Sequence, residues 1–511
     1  MSDYPPITTQ AGRFIDPQGR QVILHGINLV NKDPKAGYLG PEDLKTFAAF
    51  RRWGLNCIRL GIIWDGLEPE PGVFDETYLQ GIDRQIAWAK ANDLYVVLDM
   101  HQDLYSVLYA DGAPEWATLS EGQPHIHSGG VWSDAYLTSP AVQTALDNFW
   151  KNAPGPDGVG LQDHYARLWG ALARRYATEP AVIGYDLMNE PVPGSLSVKA
   201  HQLQFAAGAE LLGKMGIDLG KAGESDHENA DPLEQIMKIW LTPEGRFEIL
   251  QFFSDPQIYT QAIDAPQAIY NEFEQSALQD LYQHVAASIR QADVQHILFL
   301  ETSMGSNMGV YSGIEPLIIG GVRDPQQAYA PHGYDLVVDT SRVASACSAR
   351  VDLIFSRHAE TARRWDWPML VGEWGAYGKM PGTLPAARDV VGVFERLLCS
   401  DTYWAYEPEI ESANSFPALW RPYPERIAGR LESYRYDPQG WSFECTWQED
   451  PAITAPSIIY LPGWLGFDGT DHSSRKLALT PAGDYQIESQ AGGIWLRIPP
   501  SGQAVKRVLK I

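Results

Sequence analysis

Short apolar runs alternate along most of the chain with longer segments in which apolar positions recur every three to four residues. The short runs are typical of buried strands and the longer segments of amphipathic helices such as PEDLKTFAAFRRWG and TYLQGIDRQIAWAKAND. The strand-like runs are QVILHGINL, NCIRLGI, LYVVLDMH, VIGYDLMNEP, HILFLETS, QQAYAPHGY, PMLVGEWG and TYWAYEP. Strands that alternate with helices pair in parallel, and eight such units predict a closed (β/α)8 TIM barrel. An open doubly wound sheet is disfavoured because no Gly-rich turn follows the first strand.

The pattern changes near the C-terminus and once inside the barrel region. From residue 417 onward, segments such as PSIIYLPGWLGF and GGIWLRIPP are short, alternating and broken by Pro and Gly, as in an antiparallel β-sandwich. We therefore predict an α/β barrel over residues 1–416 and a β-sandwich domain over 417–511, a division that suits a chain of 511 residues. The connection after the fourth strand, about 192–268, is far longer than usual and contains helical patterns, which predicts a helical insertion.

Composition and charge narrow the classes of partner. The formal net charge of -25 disfavours nucleic acid and anionic membrane surfaces as partners, so a neutral or apolar substrate is expected. No apolar stretch reaches the ~20 residues that span a bilayer, so no stable membrane insertion is expected. The start of the sequence lacks the pattern of a secretory signal, and we expect a cytoplasmic protein, or a secreted one if a leader was removed. The four cysteines are widely separated, so no disulfide framework, metal site or cofactor is predicted, and the oligomeric state is left open.

Polar side chains end most of the predicted strands. In a (β/α)8 barrel the C-terminal ends of the strands converge on one face, so these side chains are expected to meet whatever their separation in sequence. They are Arg59, His101, Asp103, Asn189, Glu190, Glu301, His332, Tyr334, Glu373 and Trp404.

Two of these residues, Glu190 and Glu373, end the fourth and seventh strands on opposite sides of the predicted mouth. Hydrolysis of a glycosidic bond needs a protonated carboxyl at the leaving oxygen and an ionised carboxylate at the anomeric carbon. Arg59 is expected to hold Glu373 ionised, and Asn189 to bind a sugar hydroxyl. Taken singly, each glutamate would also fit a helix cap or a rim ion pair. The set of polar strand ends favours catalysis over these simpler readings.

The sequence resembles glycoside hydrolase family 5, a retaining family on the (β/α)8 fold. VIGYDLMNEP is similar to the acid/base signature of that family and MLVGEWG to its nucleophile signature. Within the family, VVLDMHQD, GINLVNK, YAPHGY, TYWAYEP and RPYPERIAG resemble the endoglycoceramidase branch, which cleaves the bond between sugar and ceramide in glycosphingolipids. The fifth strand departs from the family pattern, since FLETSMG stands where Glu-Pro is more common.

The resemblance implies roles for individual residues. Glu190 is implied as the acid/base and Glu373 as the nucleophile, with Arg59, Asn189, His332 and Tyr334 around them. Lys32, His101 and Asp103 are implied as sugar contacts and Trp404 as a platform beneath the reacting sugar. The role of Lys32 rests on the resemblance alone.

Several functions stay open from the sequence. The leading hypothesis is a retaining β-glycosidase acting on glycolipids, either releasing a whole glycan or removing a single glucose. The alternatives are a β-glucosidase or endo-β-glucanase on non-lipid substrates, a noncatalytic sugar-binding protein, and a barrel enzyme of another chemistry. His125 and His127 resemble a metal-ligand pair, but no third ligand stands nearby, so a solvated loop is favoured.

The insertion is predicted to be either a lipid-binding wall or lid, or a helical decoration or oligomer contact. A wall would use its apolar residues, which include Phe205, Leu211, Leu212, Ile239, Trp240, Phe252 and Phe253.

Overall fold

The structure is a computed structural model that describes residues 6–127, 130–214, 242–467, 476–490 and 492–511. A sheet of eight parallel strands forms its centre, in the spatial order β6-β5-β4-β3-β2-β1-β8-β7. The strands are β1 (His25–Leu29), β2 (Cys57–Ile63), β3 (Tyr95–His101), β4 (Val182–Asp186), β5 (Ile297–Leu300), β6 (Gln327–Tyr329), β7 (Leu370–Gly375) and β8 (Ser400–Trp404). The predicted (β/α)8 fold is confirmed.

The sheet closes into a barrel between β6 and β7. The Tyr329 amide donates to the Pro368 carbonyl at 3.0 Å, and the Gly333 amide donates to the Glu373 carbonyl at 3.2 Å. β6 is shorter than the QQAYAPHGY pattern predicts, because Pro331 has no amide to extend the ladder. The closure still brings His332 beside Glu373 in an isolated parallel bridge, which fixes two strand-end residues side by side.

Eleven helices of at least seven residues lie in the described part of the chain. They are α1 (Leu44–Arg52), α2 (Glu76–Ala91), α3 (Pro140–Trp150), α4 (Leu161–Tyr176), α5 (Leu196–Lys214), α6 (Pro243–Phe252), α7 (Pro256–Asp264), α8 (Gln267–Phe273), α9 (Gln279–Arg290), α10 (Ser348–Trp365) and α11 (Leu384–Leu397). Capping residues determine where several of these helices begin. Asp75 caps α2 by accepting from the Thr77 and Tyr78 amides, and Ser139 caps α3, which begins with a proline. No helix in the described ranges is both long and apolar enough to cross a bilayer.

The insertion after β4 is helical where the structure describes it. Helices α5, α6 and α7 belong to it, whereas residues 215–241 lie outside the described ranges. These helices share a small buried core of their own with two residues of later segments. That core consists of Ala200, Phe205, Ile249, Phe253, Tyr259, Ala262, Ile263, Tyr270 and Val310.

Antiparallel sheets follow the barrel. Their strands are β9 (Tyr423–Ile427), β10 (Gly429–Asp437), β11 (Ser442–Glu449), β12 (Ser457–Pro462), β13 (Ala478–Thr480), β14 (Gln486–Gln490), β15 (Gly493–Ile498) and β16 (Lys506–Lys510). One sheet has the order β10-β11-β16-β13. The other contains β9, β12, β15 and β14 and is completed by three short N-terminal strands, Thr8–Gln10, Arg13–Ile15 and Gln21–Val22. The predicted boundary at residue 417 stays a prediction, and residues from both ends of the chain share one sheet.

Buried charges join this C-terminal sheet to the barrel. Glu425 on β9 accepts from Arg51 on α1 at 3.0 Å and from the neighbouring Arg426 at 2.6 Å. The Tyr423 hydroxyl donates to the Gly54 carbonyl at 2.7 Å. The sheet therefore packs against the side of the barrel opposite the mouth, because Arg51 and Gly54 precede β2.

Candidate active site

The C-terminal ends of the barrel strands place the predicted residues around one open cavity, which is the mouth of the barrel. The residues from the predicted set that line its cavity are Lys32, His101, Asp103, Glu190, Tyr334, Glu373 and Trp404. Arg59, Asn189 and His332 lie directly beneath these and are buried, each at most 1% exposed. The cavity has about 1270 Å³ of empty space, including solvent at its open side. The structure thus brings the predicted strand-end residues and Lys32 together at the mouth or directly beneath it.

The two glutamates face each other across the mouth. An oxygen of Glu190 and an oxygen of Glu373 lie within 4.8 Å of one another, with a nitrogen of His332 in the same group. Retaining glycosidases hold their carboxyl groups about 5–5.5 Å apart, whereas inverting enzymes leave roughly 6.5–9.5 Å for a water molecule. The separation therefore fits the retaining arrangement.

Arg59 is the charge centre beneath the mouth. Its guanidinium contacts Asp99 at 2.8 Å, Asp186 at 2.8 Å, Glu301 at 2.7 Å and Glu373 at 2.9 Å. Two amide oxygens accept its remaining hydrogen bonds, those of Asn28 and Asn189. Because a guanidinium is planar and always charged, this fork fixes the position of all its partners at once. Asp99 and Asp186 were missed from the sequence, although a carboxylate inside an otherwise apolar strand was an available signal.

His332 carries a second positive charge at the site. Its Nδ1 lies 3.0 Å from Glu190 Oε1, and its Nε2 lies 3.2 Å from Glu301 Oε1. Burial alone would lower the pKa of His332, but Glu301, Glu373 and the hydrogen bonds to the carboxylates outweigh it and raise the pKa well above its usual value. Both ring nitrogens lie near carboxylate oxygens, an arrangement that favours the protonated form of the ring.

The environment of Glu373 differs from the one predicted. Arg59 Nη1 donates to Oε1 at 2.9 Å and the Tyr334 hydroxyl donates to Oε2 at 2.7 Å, so the expected cationic partner is present. Burial nevertheless raises the pKa of Glu373 to about 8, since His332 and Arg59 only partly offset it and Glu190 and Glu301 add to it. Burial disfavours the charged carboxylate, and the neighbouring carboxylates of Glu190 and Glu301 disfavour it further.

Glu190 is held in a strained backbone conformation. Its φ of 42° lies in the left-handed region, and it precedes Pro191, which disfavours helical conformations at the preceding residue. Glu301 Oε2 accepts the Glu190 amide at 2.8 Å, and Gln102 Nε2 donates to the Glu190 carbonyl at 3.2 Å. Strain of this kind persists where surrounding contacts impose it, most often at functional sites. Glu301 thus has a structural task at this site, despite the departure of its segment from the family pattern.

A polar pocket lies on one side of the glutamates. Lys32 forms an ion pair with Asp103, lies 3.4 Å from Asp111 Oδ2, and has its ammonium 4.9 Å from the ring centre of Trp404. The His101 ring stacks on Trp404 with centroids 5.1 Å apart and planes 12° from parallel. Charged groups beside an aromatic face suit a polyhydroxylated ligand, which offers both hydroxyls and an apolar ring face.

Apolar side chains form part of the cavity wall, called the apolar wall here. Its side chains are Leu137, Val192, Pro193, Met304, Met308, Leu336 and Val338. The insertion contributes Ser197 and His201 of α5 to the cavity.

The apolar insertion residues predicted to form this wall do not do so where they are described. Phe205 and Phe253 are 7% and 6% exposed and pack in the separate core of the insertion, because each helix buries its apolar stripe against its neighbours. Leu211 and Phe252 are half-buried, while Ile239, Trp240 and the Leu212 side chain lie outside what the structure describes.

Three groups of side chains in the described ranges are close enough to share a cation. They are His101 with Asp103 and Asp111, Glu190 with His332 and Glu373, and Asp99 with Asp186 and Glu301. Lys32 and Arg59 already supply positive charge to the first and third groups, and the basic residue His332 is itself a member of the second. His125 belongs to none of them, since it stacks on Tyr109 and its Nδ1 lies 2.9 Å from Ser139 Oγ.

The sequence of the chain matches the models of two known protein families. Residues 15–208 and 265–409 match the model of the family described as cellulase (glycosyl hydrolase family 5), and residues 421–507 match the glycoside hydrolase family 5 C-terminal domain. The unmatched stretch between the first two segments falls within the insertion.

Individual proteins that are similar to this chain include several named endoglycoceramidases. Endoglycoceramidase I of Rhodococcus hoagii (strain 103S) is 36% identical over 198 residues, which cover 37% of this chain and 38% of that protein. The endoglycoceramidase of Hydra vulgaris is 30% identical over 229 residues, covering 38% of this chain and 42% of that protein. The chain therefore aligns with about two fifths of the length of these curated relatives. The solved structure of endo-glycoceramidase II from Rhodococcus sp. superposes with a TM-score of 0.70 at 25% identity, covering 97% of this chain and 98% of that chain.

Proposed function

The chain belongs to glycosyl hydrolase family 5, and we propose that it hydrolyses the β-glycosidic bond of glycolipids such as glycosylceramides with retention of configuration. The observation that carries this proposal is a mouth that combines two carboxylates within 4.8 Å of each other with both a polar pocket and an apolar wall. A glycan and a lipid need those two surfaces, and the bond between them then lies at the carboxylates. The names of the relatives support the same class of substrate.

In this proposal Glu373 is the nucleophile. It attacks the anomeric carbon while Arg59 and Tyr334 donate to its two oxygens and hold it in line. The product of this step is a covalent glycosyl-enzyme. As the carboxylate becomes a neutral ester, it no longer competes for the positive charge of Arg59 and His332.

Glu190 is the acid/base. Its proton goes to the leaving oxygen as the bond to the lipid breaks, and its carboxylate then takes a proton from the water that attacks the glycosyl-enzyme. Asn189, anchored by its Oδ1 on Arg59 at 3.0 Å, lies beside this carboxyl and is proposed to bind a sugar hydroxyl.

Lys32, His101, Asp103 and Trp404 are proposed to bind the glycan. They form the polar pocket on one side of the two carboxylates, where Lys32 and Asp103 offer a donor and acceptors to hydroxyl groups. Trp404 is proposed to lie beneath the reacting sugar. The wall that includes Val192, Met304 and Leu336 would then face the lipid.

A substrate panel tests the proposal. We expect the protein to release ceramide from glucosylceramide, lactosylceramide or a ganglioside, with mass spectrometry of the glycan showing whether one sugar or a whole oligosaccharide is removed. Proton NMR of the first product should show the β-anomer. Cleavage of cellobiose or aryl glucosides with no attack on any glycosphingolipid would instead identify a β-glucosidase or endo-β-glucanase on non-lipid substrates.

A further inference from the structure

Glu190 has a second polar partner besides His332. Asn307 follows β5 at the end of a one-turn helix, Met304–Asn307, and its Nδ2 donates to Glu190 Oε1 at 2.8 Å. Asn307 is 6% exposed and lines the cavity together with Glu190. No sequence pattern marks Asn307, which lies 117 residues from Glu190.

The two oxygens of Glu190 are therefore not equivalent. Oε1 accepts from Asn307 Nδ2 and from the imidazolium of His332 at 3.0 Å. An oxygen that accepts two N–H donors has no room for a proton of its own, so a proton on this carboxyl resides on Oε2. Glu190 lines the cavity, and Oε2 is the oxygen available to a leaving group there.

His332 alone does not hold Glu190 through a reaction cycle. Its Nδ1 lies 3.0 Å from Glu190 but also 3.5 Å from Glu373 Oε2, and its Nε2 faces Glu301. Because Nδ1 lies near both glutamates, its interaction with Glu190 depends on the charge that each of them carries. Asn307 is neutral, and its hydrogen bond to Oε1 can form with both the protonated and the ionised carboxyl.

The loop that carries Asn307 is fixed by one buried carboxylate. Glu274 is 0% exposed, and its Oε1 accepts from the Thr302 hydroxyl at 2.6 Å and from the Ser303 amide at 2.8 Å. Its Oε2 accepts from the Ser312 hydroxyl at 3.1 Å and from the Gly313 amide. A single carboxylate thus ties the start of the loop to its end, and residue 307 lies between the two ties.

We propose that Asn307 is a positioning residue that, through the loop tied by Glu274, fixes Oε1 of Glu190 and reserves Oε2 for proton transfer to the leaving group. This inference rests on the proposed function, because it assigns a task to the acid/base of that reaction. Asn307 needs no contact with substrate to act in this way.

The test compares leaving groups. Variants Asn307→Ala and Asn307→Asp would be assayed on a 2,4-dinitrophenyl β-glycoside, whose leaving group needs no proton, and on an octyl β-glycoside of the same sugar, whose leaving group does. General acid catalysis contributes roughly 100- to 10,000-fold, so a misplaced acid should cost about tenfold or more on the octyl glycoside and less than about threefold on the dinitrophenyl glycoside. Asn307→Asp keeps the size of the side chain and guards against a folding defect.

Ser306→Ala is the matched control. Ser306 lies on the same loop, is buried, and has its hydroxyl oxygen 3.1 Å from that of Thr302. It should change both rates by the same factor, as a purely structural defect would. Equal losses on both substrates in the Asn307 variants would overturn the positioning role while leaving the proposed function intact. A wild-type protein that cleaves no β-glycoside would overturn the proposed function itself, and the inference with it.

Discussion

At the scale of single residues, the main feature of the site is that many carboxylates share few basic partners. Arg59 and His332 are in direct contact with the carboxylates around the mouth, which are Asp99, Asp186, Glu190, Glu301 and Glu373. A carboxylic acid that keeps its proton near neutral pH beside one that is ionised is what the proposed chemistry requires. Burial and the neighbouring carboxylates raise the pKa of Glu373, so its ionisation for attack depends on the hydrogen bonds from Arg59 and Tyr334.

The roles of the two glutamates are separable by substitution. Glu373→Ser or Gly should abolish hydrolysis yet accept an α-glycosyl fluoride as donor, because that donor has the configuration of the missing intermediate. Glu190→Ala should still form the glycosyl-enzyme from substrates with good leaving groups, and azide should rescue it with a β-configured product. An α-configured azide product from Glu190→Ala, identified by NMR, would reverse the two roles.

The hydroxyl of Tyr334 predicts a change in pH dependence. Glu373 must be ionised to attack, so kcat/KM rises as pH increases through the pKa of Glu373, about 8 in the free protein. Tyr334→Phe removes a hydrogen bond of 2.7 Å that stabilises the carboxylate. Its loss raises the pKa further, so the acid limb should move to higher pH and activity should fall more at pH 6 than at pH 9.

The pH profile of kcat/KM measures this directly. Tyr176→Phe is a suitable control, since its hydroxyl donates to Asp83 at 2.9 Å, away from the mouth. An acid limb that stays in place or moves to lower pH in Tyr334→Phe would show that Tyr334 does not support the ionised nucleophile.

At the scale of elements, apolar side chains reach the cavity from the loop after β5, whereas a lipid-binding wall was only one of two predictions for the insertion. Met304 and Met308 of that loop line the cavity, whereas Phe205 and Phe253 of the insertion are buried in their own core. The insertion helices are thus stabilised by one another. Their reach into the mouth is limited, in the described residues, to the polar Ser197 and His201 and to the Val192–Pro193 turn that precedes α5.

Because Met308 lines the cavity and Phe205 packs in the core of the insertion, substitutions at these two positions should have different effects. Met308→Ser should weaken turnover of a ceramide glycolipid by about tenfold relative to an aryl glycoside, because each methylene that loses apolar contact costs roughly 0.8 kcal/mol. Phe205→Ala should leave the ratio of the two rates unchanged and lower stability by about 3–5 kcal/mol, since it empties a buried site. Rates on both substrates and urea unfolding of both variants decide the matter. A ratio that falls only in Phe205→Ala would restore the insertion as the lipid-binding wall.

At the scale of the whole molecule, a buried carboxylate joins the C-terminal sheet to the barrel. Burial alone would raise the pKa of Glu425, but Arg51 and Arg426 outweigh it and lower the pKa to about 2. A carboxyl with a depressed pKa contributes stability that is present above its unfolded pKa and is lost as pH falls toward the folded value. The junction should therefore weaken between about pH 4.5 and pH 2.

Glu425→Gln should reproduce that loss at neutral pH. It removes the fully buried carboxylate that pairs with Arg51 and Arg426, and breaking such a pair costs about 3–5 kcal/mol in comparable cases. Thermal unfolding should show a lower Tm, and the stability of the variant should depend less on pH below 4.5 than that of the wild type. Glu432→Gln, which removes the partner of Lys506 on the surface of the same domain, should leave Tm unchanged. A wild-type Tm for Glu425→Gln would mean that the junction does not depend on this charge.

The sequence by itself determined the barrel and the identity of its two central carboxyls. Periodicity distinguishes strands from helices locally, and in a parallel barrel every strand end reaches the same face, so Glu190 and Glu373 were certain to meet once the fold was known. The resemblance added Lys32, which no pattern marks. These features depend on local pattern and on a fixed topology.

Only the tertiary structure decided which residues support the site and which side chains line its cavity. Asn307 meets Glu190, and Glu274 ties the intervening loop, through contacts that depend on the path of an irregular segment. The apolar character of Phe205 fits an insertion that forms a lipid-binding wall as well as one that is a helical decoration. The helices packed against Phe205 decide that it is buried. The rise in the pKa of Glu373 likewise comes from burial and from carboxylates on other strands. Periodicity records which residues are apolar, but not which distant residue each one meets, because loop geometry and desolvation arise only when the chain is packed.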